Sequence, residues 1–338
     1  MTDVPTRQVV LVHRPHGIPQ AEHFAVVDGQ TPAPGRGQLL VRNEYLSVDP
    51  AMRGWVSAVA NYADPVALGD VMRSFAVGVV EESRTDAFAV GDRVVGMFGW
   101  QERATIEPSA VIRRVDETDL PPTLALGILG LTGTTAWFAL TDKGQPRVGD
   151  TVVVSTAAGA VGSVAGQLAK LAGCRTVGIT GGPEKVQLCL NDFQYDVALD
   201  YRSPTFESDV AAACPSGVDI YFDNTSGPIS DAVLPLLAKN ARVVICGTSA
   251  VDSWDPWPQG PMMSRHLLVK SARAEGFLYF DYAHRVDEAV RRLASLVRSG
   301  QLRYREDILR GLESAPGAIA GLYRGENLGK RIIDLTAT

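Results

Sequence analysis

The segment Thr151 to Cys174, TVVVSTAAGAVGSVAGQLAKLAGC, constrains the fold most, because it sets a β-branched run ahead of a small-residue turn and an amphipathic stretch. Val152, Val153 and Val154 favour an extended strand, and the apolar residues after the turn recur at helical spacing. Strand, tight turn and helix in this order open a doubly wound α/β sheet. The alternation continues through RTVGIT (175–180), PEKVQLCLND (183–192), VDIYFDN (218–224), ISDAVLPLLAK (229–239) and RVVICG (242–247). Such repetition predicts parallel strands joined by crossover helices. VDEAVRRLASLVRSG (286–300) reads as a further helix closing on Gly300, a residue suited to a helix C-terminus.

The first half has a different texture. From Gln8 to about Ile112, short β-like runs such as VVLV (9–12) and RVVGM (93–97) are separated by Gly, Pro and Asp, which predicts a mostly β region. Near Leu124 a longer apolar segment, LALGILGLTGTTAWFAL, begins, and its Gly, Ala and Thr content suits closely packed helices. A last strand, KRIIDL (330–335), is placed to return to the first half. The length of 338 residues exceeds one ordinary core, so two domains are expected.

Charge and cysteine content exclude several classes. The formal net charge of −6 and the absence of a basic stripe argue against nucleic acid as a partner. Nowhere do 18 apolar residues run together, and MTDVPTRQVV lacks a signal-peptide pattern, so the chain is read as cytoplasmic with no membrane partner. Cys174, Cys189, Cys214 and Cys246 are scattered, and with His13, His16, His23, His266 and His284 they show no zinc-ligand spacing. No metal site is expected.

The turn after Ser155 carries most of the sites that can be read from the residues alone. Ala157 stands where the first glycine of G-x-G-x-x-G would be, with Gly159 and Gly162 in the second and third places. Gly159 allows backbone approach to a pyrophosphate at the helix start, and Gly162 allows close helix–strand packing. The alternative is a tight turn without ligand. About 20 residues on, an NAD site offers an acidic group to the ribose, whereas this chain has Thr180, Gly181 and Gly182, with Lys185 shortly after. Room for a 2′-phosphate beside an ammonium favours NADPH over NADH. The competing account is that Lys185, next to Glu184, is a solvated surface lysine.

Several segments together resemble one family: LSVDPAMRG (46–54), VVGMFGWQE (94–102), LGILGLTGTTAWF (126–138), AAGAVGSVAGQLAKLAG (157–173), YFDN (221–224) and GENLGK (325–330). The chain resembles the zinc-free branch of medium-chain dehydrogenase/reductases that includes prostaglandin/leukotriene reductases and plant alkenal double-bond reductases. The resemblance implies a GroES-like β-rich catalytic domain from residues 1–127 and 300–338, and a Rossmann NADPH-binding domain over 128–299. It also implies cofactor contacts at Gly159, Ala160, Val161, Gly162, Lys185, Tyr201, Asn224, Cys246, Gly247, Phe277 and Asn327, beside Thr180 and Gly182. The implied activity is NADPH-dependent reduction of the carbon–carbon double bond of an α,β-unsaturated aldehyde or ketone, with hydride to the β-carbon, by a homodimer.

Two departures from the family pattern bear on the site. Asp252 stands at or near the place of the tyrosine common after the Cys-Gly pair; Tyr62 and Asp252 are the catalytic candidates, with Tyr279 and Tyr282 as further candidate substitutes for the tyrosine. Ala51 stands where the family commonly has tyrosine, so a wider pocket is expected, with Trp55, Tyr62, Trp100, Trp254, Trp257 and Tyr279 as candidate lining residues. Three other readings stay open: a quinone reductase of the same superfamily, a zinc-free alcohol dehydrogenase, and a non-catalytic NADPH-binding sensor.

Overall fold

Turn residues cut the first hundred residues into short strands, as Gly and Pro do when they interrupt β-branched runs. The computed structural model describes residues 3–59, 63–251, 256 and 258–336. The chain divides into two compact units, Met1–Leu126 with Glu306–Thr338 and Gly127–Arg305.

The first unit opens with an antiparallel pair, β1 (Val4–Leu11) and β2 (Phe24–Thr31). It continues through β3 (Leu39–Ser47), the short helix α1 (Met52–Val56), β4 (Ala76–Ser83), β5 (Arg93–Gly96), β6 (Arg103–Ile106) and β7 (Val111–Arg114).

The second unit begins with α2 (Leu131–Phe138), which runs on as a π-helical turn over Ala139–Gly144. Then follow β8 (Thr151–Ser155), α3 (Ala160–Leu171), β9 (Arg175–Thr180), α4 (Pro183–Asn191), β10 (Val197–Asp200) and α5 (Phe206–Ala213). After these come β11 (Val218–Asp223), α6 (Gly227–Val233), β12 (Leu237–Ile245), α7 (Met263–Lys270), β13 (Arg273–Gly276) and α8 (Val286–Arg298). The six strands form one parallel sheet in the order β10-β9-β8-β11-β12-β13, the doubly wound arrangement expected from the sequence. All five residues of β8 are buried, which explains its unbroken apolar run.

Back in the first unit, β14 (Glu306–Arg310), α9 (Ala315–Tyr323) and β15 (Lys330–Asp334) complete a sheet ordered β14-β15-β3-β4-β5-β7, with β6 on β3. KRIIDL does return to the first half: β15 pairs antiparallel with β3, Ile332 opposite Ser47. Lys330 fixes this junction. Its buried ammonium donates to Ser47 Oγ (2.7 Å), the Val48 carbonyl (2.8 Å) and Asp49 Oδ1 (3.0 Å), so GENLGK is bonded to LSVDP.

One helix differs from expectation. ISDAVLPLLAK is not a single helix: α6 stops at Val233, Leu234–Leu236 form a 3-10 turn, and Leu237 already belongs to β12. Pro235 has no amide hydrogen to continue an α-helical ladder, so the chain leaves the helix there. Gly300, by contrast, takes φ +71° just past α8, and its amide donates to the Val297 carbonyl at 3.0 Å. No described helix is long and apolar enough to cross a membrane.

Candidate functional site

In a parallel sheet the strand order reverses at one place, and there the strand ends leave a crevice for a ligand. Here the reversal falls between β8 and β11. The turn after β8 runs through Thr156, which takes φ +53°, and Ala157, whose amide donates to the Ile179 carbonyl at 2.9 Å. The left-handed step that a glycine would make is thus carried by the residue before Ala157. Gly159 is the N-cap of α3, and the first-turn amides of Ala160, Val161 and Gly162 have no intrahelical acceptor by helix geometry. They point with the positive end of the helix toward an anion placed at the turn. A Cβ on Gly162 would stand 2.3 Å from the Thr156 carbonyl oxygen, so the helix sits too close for any side chain there. A dinucleotide pyrophosphate fits this turn: it needs bare amides and close backbone approach, and both are present.

The end of β9 gives a second set of groups. Thr180 is buried, and its carbonyl accepts from the Tyr201 amide at 3.0 Å, which brings the residue after β10 beside Gly181. A Cβ on Gly181 would lie 2.8 Å from the Tyr201 ring and 3.2 Å from Arg202 Nε, and one on Gly182 would lie 3.9 Å from Arg202 Nη1. The Arg202 guanidinium stands 5.5 Å from the Tyr201 ring centroid. The hydrogen bond to the Tyr201 hydroxyl raises its pKa further and keeps it charged. Asp200, the nearest carboxylate in sequence, is turned to the backbone and accepts from the Arg202 amide at 3.0 Å. A phosphate on the adenosine ribose would meet the Arg202 guanidinium at the two glycines, and Lys185 follows on the first turn of α4.

At the switch point Asn224 is tied to β8. Its amide donates to Ser155 Oγ at 2.8 Å and its Nδ2 to the Ser155 carbonyl at 2.7 Å. The Cys246 and Gly247 amides both donate to the Asp223 carbonyl, at 2.7 and 3.2 Å, so the ends of β8, β11 and β12 converge. Burial, reinforced by Asp223, pushes the Cys246 thiol well up from its ordinary range, so it is a neutral group. Phe277 stacks on Tyr282 at 4.9 Å, and Tyr282 stacks on Phe138 at 5.0 Å. That sandwich gives Tyr282 a packing role. Tyr279 is buried and lies edge-on to Phe280.

Ala51 is half-buried at the start of α1. Trp55 and Trp100 are 1% and 0% exposed, and the Trp100 indole donates to the Ser47 carbonyl at 3.0 Å. A ligand would reach either only by displacing its neighbours. Asn327 donates through Nδ2 to the Gly329 carbonyl at 2.8 Å, a local bond that shapes the turn before β15. Tyr62, Asp252, Trp254 and Trp257 lie outside the described residues.

Comparison with known proteins agrees with this geometry. Residues 7–113 match the family described as "N-terminal domain of oxidoreductase", and residues 160–295 match "Zinc-binding dehydrogenase". The NADPH-dependent curcumin reductase of Escherichia coli (strain K12) is 40% identical over 332 residues, 97% of this chain and 96% of its own. The 2-alkenal reductase (NADP(+)-dependent) of Nicotiana tabacum is 36% identical over 339 residues, 98% of each chain. The crystal structure of CurA in complex with NADPH from Vibrio vulnificus superposes with a TM-score of 0.92 at 40% identity, covering 98% of this chain and 100% of that one. The chain belongs to the medium-chain dehydrogenase/reductase family.

This medium-chain dehydrogenase/reductase has, among the described residues, no group of three or more His, Cys, Asp or Glu that could hold a metal ion. Cys174, Cys189 and Cys214 are buried thiols, pushed up by burial to about 11, about 12 and about 11. Two residues of the candidate site escape a reading of the sequence. Arg202 reaches the Gly181–Gly182 step from the turn after β10, and its only signal is a basic residue next to Tyr201. Asp223 organises the switch point, and its signal is the Asp-x-Thr-Ser order at a strand end, a pattern that turns the backbone onto a carboxylate.

Proposed function

We propose that this protein binds NADPH and reduces the carbon–carbon double bond of α,β-unsaturated aldehydes or ketones, without zinc, as a cytoplasmic homodimer. The observation that carries the cofactor is the Arg202 guanidinium at Gly181–Gly182, with Lys185 following on the first turn of α4. An NAD site would carry a carboxylate there. The substrate class is supported by kinship over nearly the whole chain with proteins named curcumin reductase and 2-alkenal reductase.

When bound, NADPH would supply a hydride to the electron-poor β-carbon, and the α-carbon would take the balancing proton from water. What the chain contributes is binding and orientation. The α3 amides hold the pyrophosphate, Arg202, Lys185 and Tyr201 hold the 2′-phosphate, and Asn224 with the Cys246–Gly247 turn borders the nicotinamide end. A donor to the carbonyl oxygen, where negative charge develops, is still required of the protein.

The dimer reading is supported by α7, none of whose residues is buried and which exposes Leu268 and Val269, and by the open edge of β13. A two-fold axis through Ala274 would set Arg273 against Glu275 of the second copy. The cytoplasmic reading is supported by four free cysteines, three of them buried.

NADPH consumption with an enone, an enal and a quinone side by side tests the activity, with product analysis and a chelated control. A saturated ketone as product, unaffected by chelation, is the expected result. An allylic alcohol, a clear preference for quinones, or binding without turnover would each replace this reading with one of its alternatives.

A further inference from the structure

Asp223 ends β11 with a carboxylate that is 1% exposed. Oδ1 accepts from the amides of Thr225 (2.9 Å) and Ser226 (2.8 Å), and from the hydroxyls of Tyr221 (3.1 Å), Ser155 (3.3 Å) and Thr225 (3.3 Å). Oδ2 accepts from the Ser230 hydroxyl at 2.7 Å. All of these donors are neutral. A carboxylate buried this deeply is costly unless its bonds are well made; here Tyr221, Ser155 and Ser230 anchor it in the surrounding elements, and both backbone amides it accepts from belong to a single turn.

That turn is Asn224–Thr225–Ser226. Ser226 takes φ +58° and ψ −164°, a region populated almost only by glycine. A residue with a side chain stays there only when its surroundings over-determine it. The carboxylate bonds to its amide on one side. On the other, Ser249 Oγ donates to the Asn224 carbonyl at 3.0 Å and the Ala250 amide to the Thr225 carbonyl at 3.0 Å. A Cβ on Gly247 would lie 2.8 Å from the Asn224 carbonyl oxygen, so the two turns are in direct contact. Any relaxation at Ser226 therefore shifts both Asn224 and the Cys246–Gly247 turn.

We infer that Asp223 is a positioning residue for the nicotinamide half of the cofactor site. Its carboxylate holds Ser226 in the strained conformation and so fixes Asn224 and Gly247 without touching the ligand. The inference rests on the NADPH reading above. It separates the two halves of the site, because Lys185, Tyr201 and Arg202 make no hydrogen bond to Asp223.

The test is calorimetric titration of the full chain with NADPH and with adenosine 2′,5′-bisphosphate, which occupies only the adenosine half. Asp223→Ala should weaken NADPH about tenfold or more and leave the bisphosphate within about twofold, since it removes hydrogen bonds to a charged acceptor. Asp223→Asn should recover most of the loss, because its amide oxygen still accepts from Thr225 and Ser226 while its nitrogen donates to Ser230. Adding Ser226→Gly to Asp223→Ala should recover part, by removing the strain itself. Equal losses for both ligands, or no loss in Asp223→Ala, would overturn the inference. If Asp223→Ala does not fold, Ser230→Ala must show the same split in smaller measure, and its absence there is equally decisive. A wild-type protein that binds neither ligand overturns the cofactor reading itself, and this one with it.

Discussion

Replacing Arg202 with alanine removes the guanidinium beside Gly181–Gly182 without opening a cavity, because the side chain lies on the surface. A charge-assisted bond to a phosphate contributes about 1.5–3 kcal/mol when sheltered. Arg202 is solvated, so that figure must be discounted to roughly 1 kcal/mol, about fivefold in Kd. Arg202→Ala should therefore bind NADPH about fivefold more weakly while NADH is unchanged, and adding Lys185→Ala should bring the loss to roughly twentyfold. Fluorescence titration with both cofactors reads this directly. The difference should also shrink as salt rises from about 0.05 M to about 0.5 M, because exposed charges are screened over a few ångströms at the higher value. Equal losses for NADPH and NADH would refute the reasoning, since they would mean that the substitution disturbed the turn and not a phosphate contact.

Three further outcomes follow from other residues. Gly162→Ala places a methyl group 2.3 Å from the Thr156 carbonyl oxygen, so α3 must move, and overpacking of about 1–3 kcal/mol should lower the melting temperature by several degrees in a thermal scan; an unchanged melting temperature would show that the helix gives way freely. Ala51→Tyr should depress kcat/KM for cyclic or branched enones while sparing linear enals and NADPH binding, and a uniform fall across substrates would rule out a size filter. Glu306 has its carboxyl pushed up by burial, with the Thr123 hydrogen bond and Lys330 opposing, and its Oε1 has no partner. A carboxyl raised on folding contributes its stability below its unfolded value and loses it as pH rises through the raised one. Glu306→Gln should therefore stabilise the protein by about 1 kcal/mol at about pH 8 and not at about pH 4. Thermal scans showing the same gain at both pH values would count against that account.

The parts of the fold that could be read in advance are those where burial and period coincide. The Val152–Val154 run is buried throughout, and a strand open to water on one face would have alternated instead. β10 and β13 gave no such signal, being only four residues long and without a fully buried residue at the two edges of the sheet. α7 has no buried residue and turns only the half-buried Met263 and Leu267 onto the core, too short an apolar stripe to mark a helix in the sequence. ISDAVLPLLAK misled because its spacing is helical up to Val233 while Pro235 and the pairing of β12 with β11 decide the rest. Pairing partners are non-local, and no local pattern encodes them.

The site divides along the same line. Gly159 and Gly162 could be read because a helix start needs bare backbone at fixed spacing, and that requirement sits within one segment. Arg202 could not, because its relevance depends on β10 lying beside β9, which brings residues 181 and 202 together across 20 intervening positions. Asp223 is the intermediate case. Its turn is local and visible as Asp-Asn-Thr-Ser, but its donors also come from Ser155, on β8, and Ser230, on α6. A carboxylate at a strand end is ordinarily solvated. What makes this one a centre of the site is that the strand order reverses beside it: the end of β8 brings the Ser155 hydroxyl to its carboxylate, and the amides of Cys246 and Gly247 after β12 bond to its backbone carbonyl. The chemistry available at such a point follows from the topology of the sheet, and the sequence identifies its residues only once that topology is known.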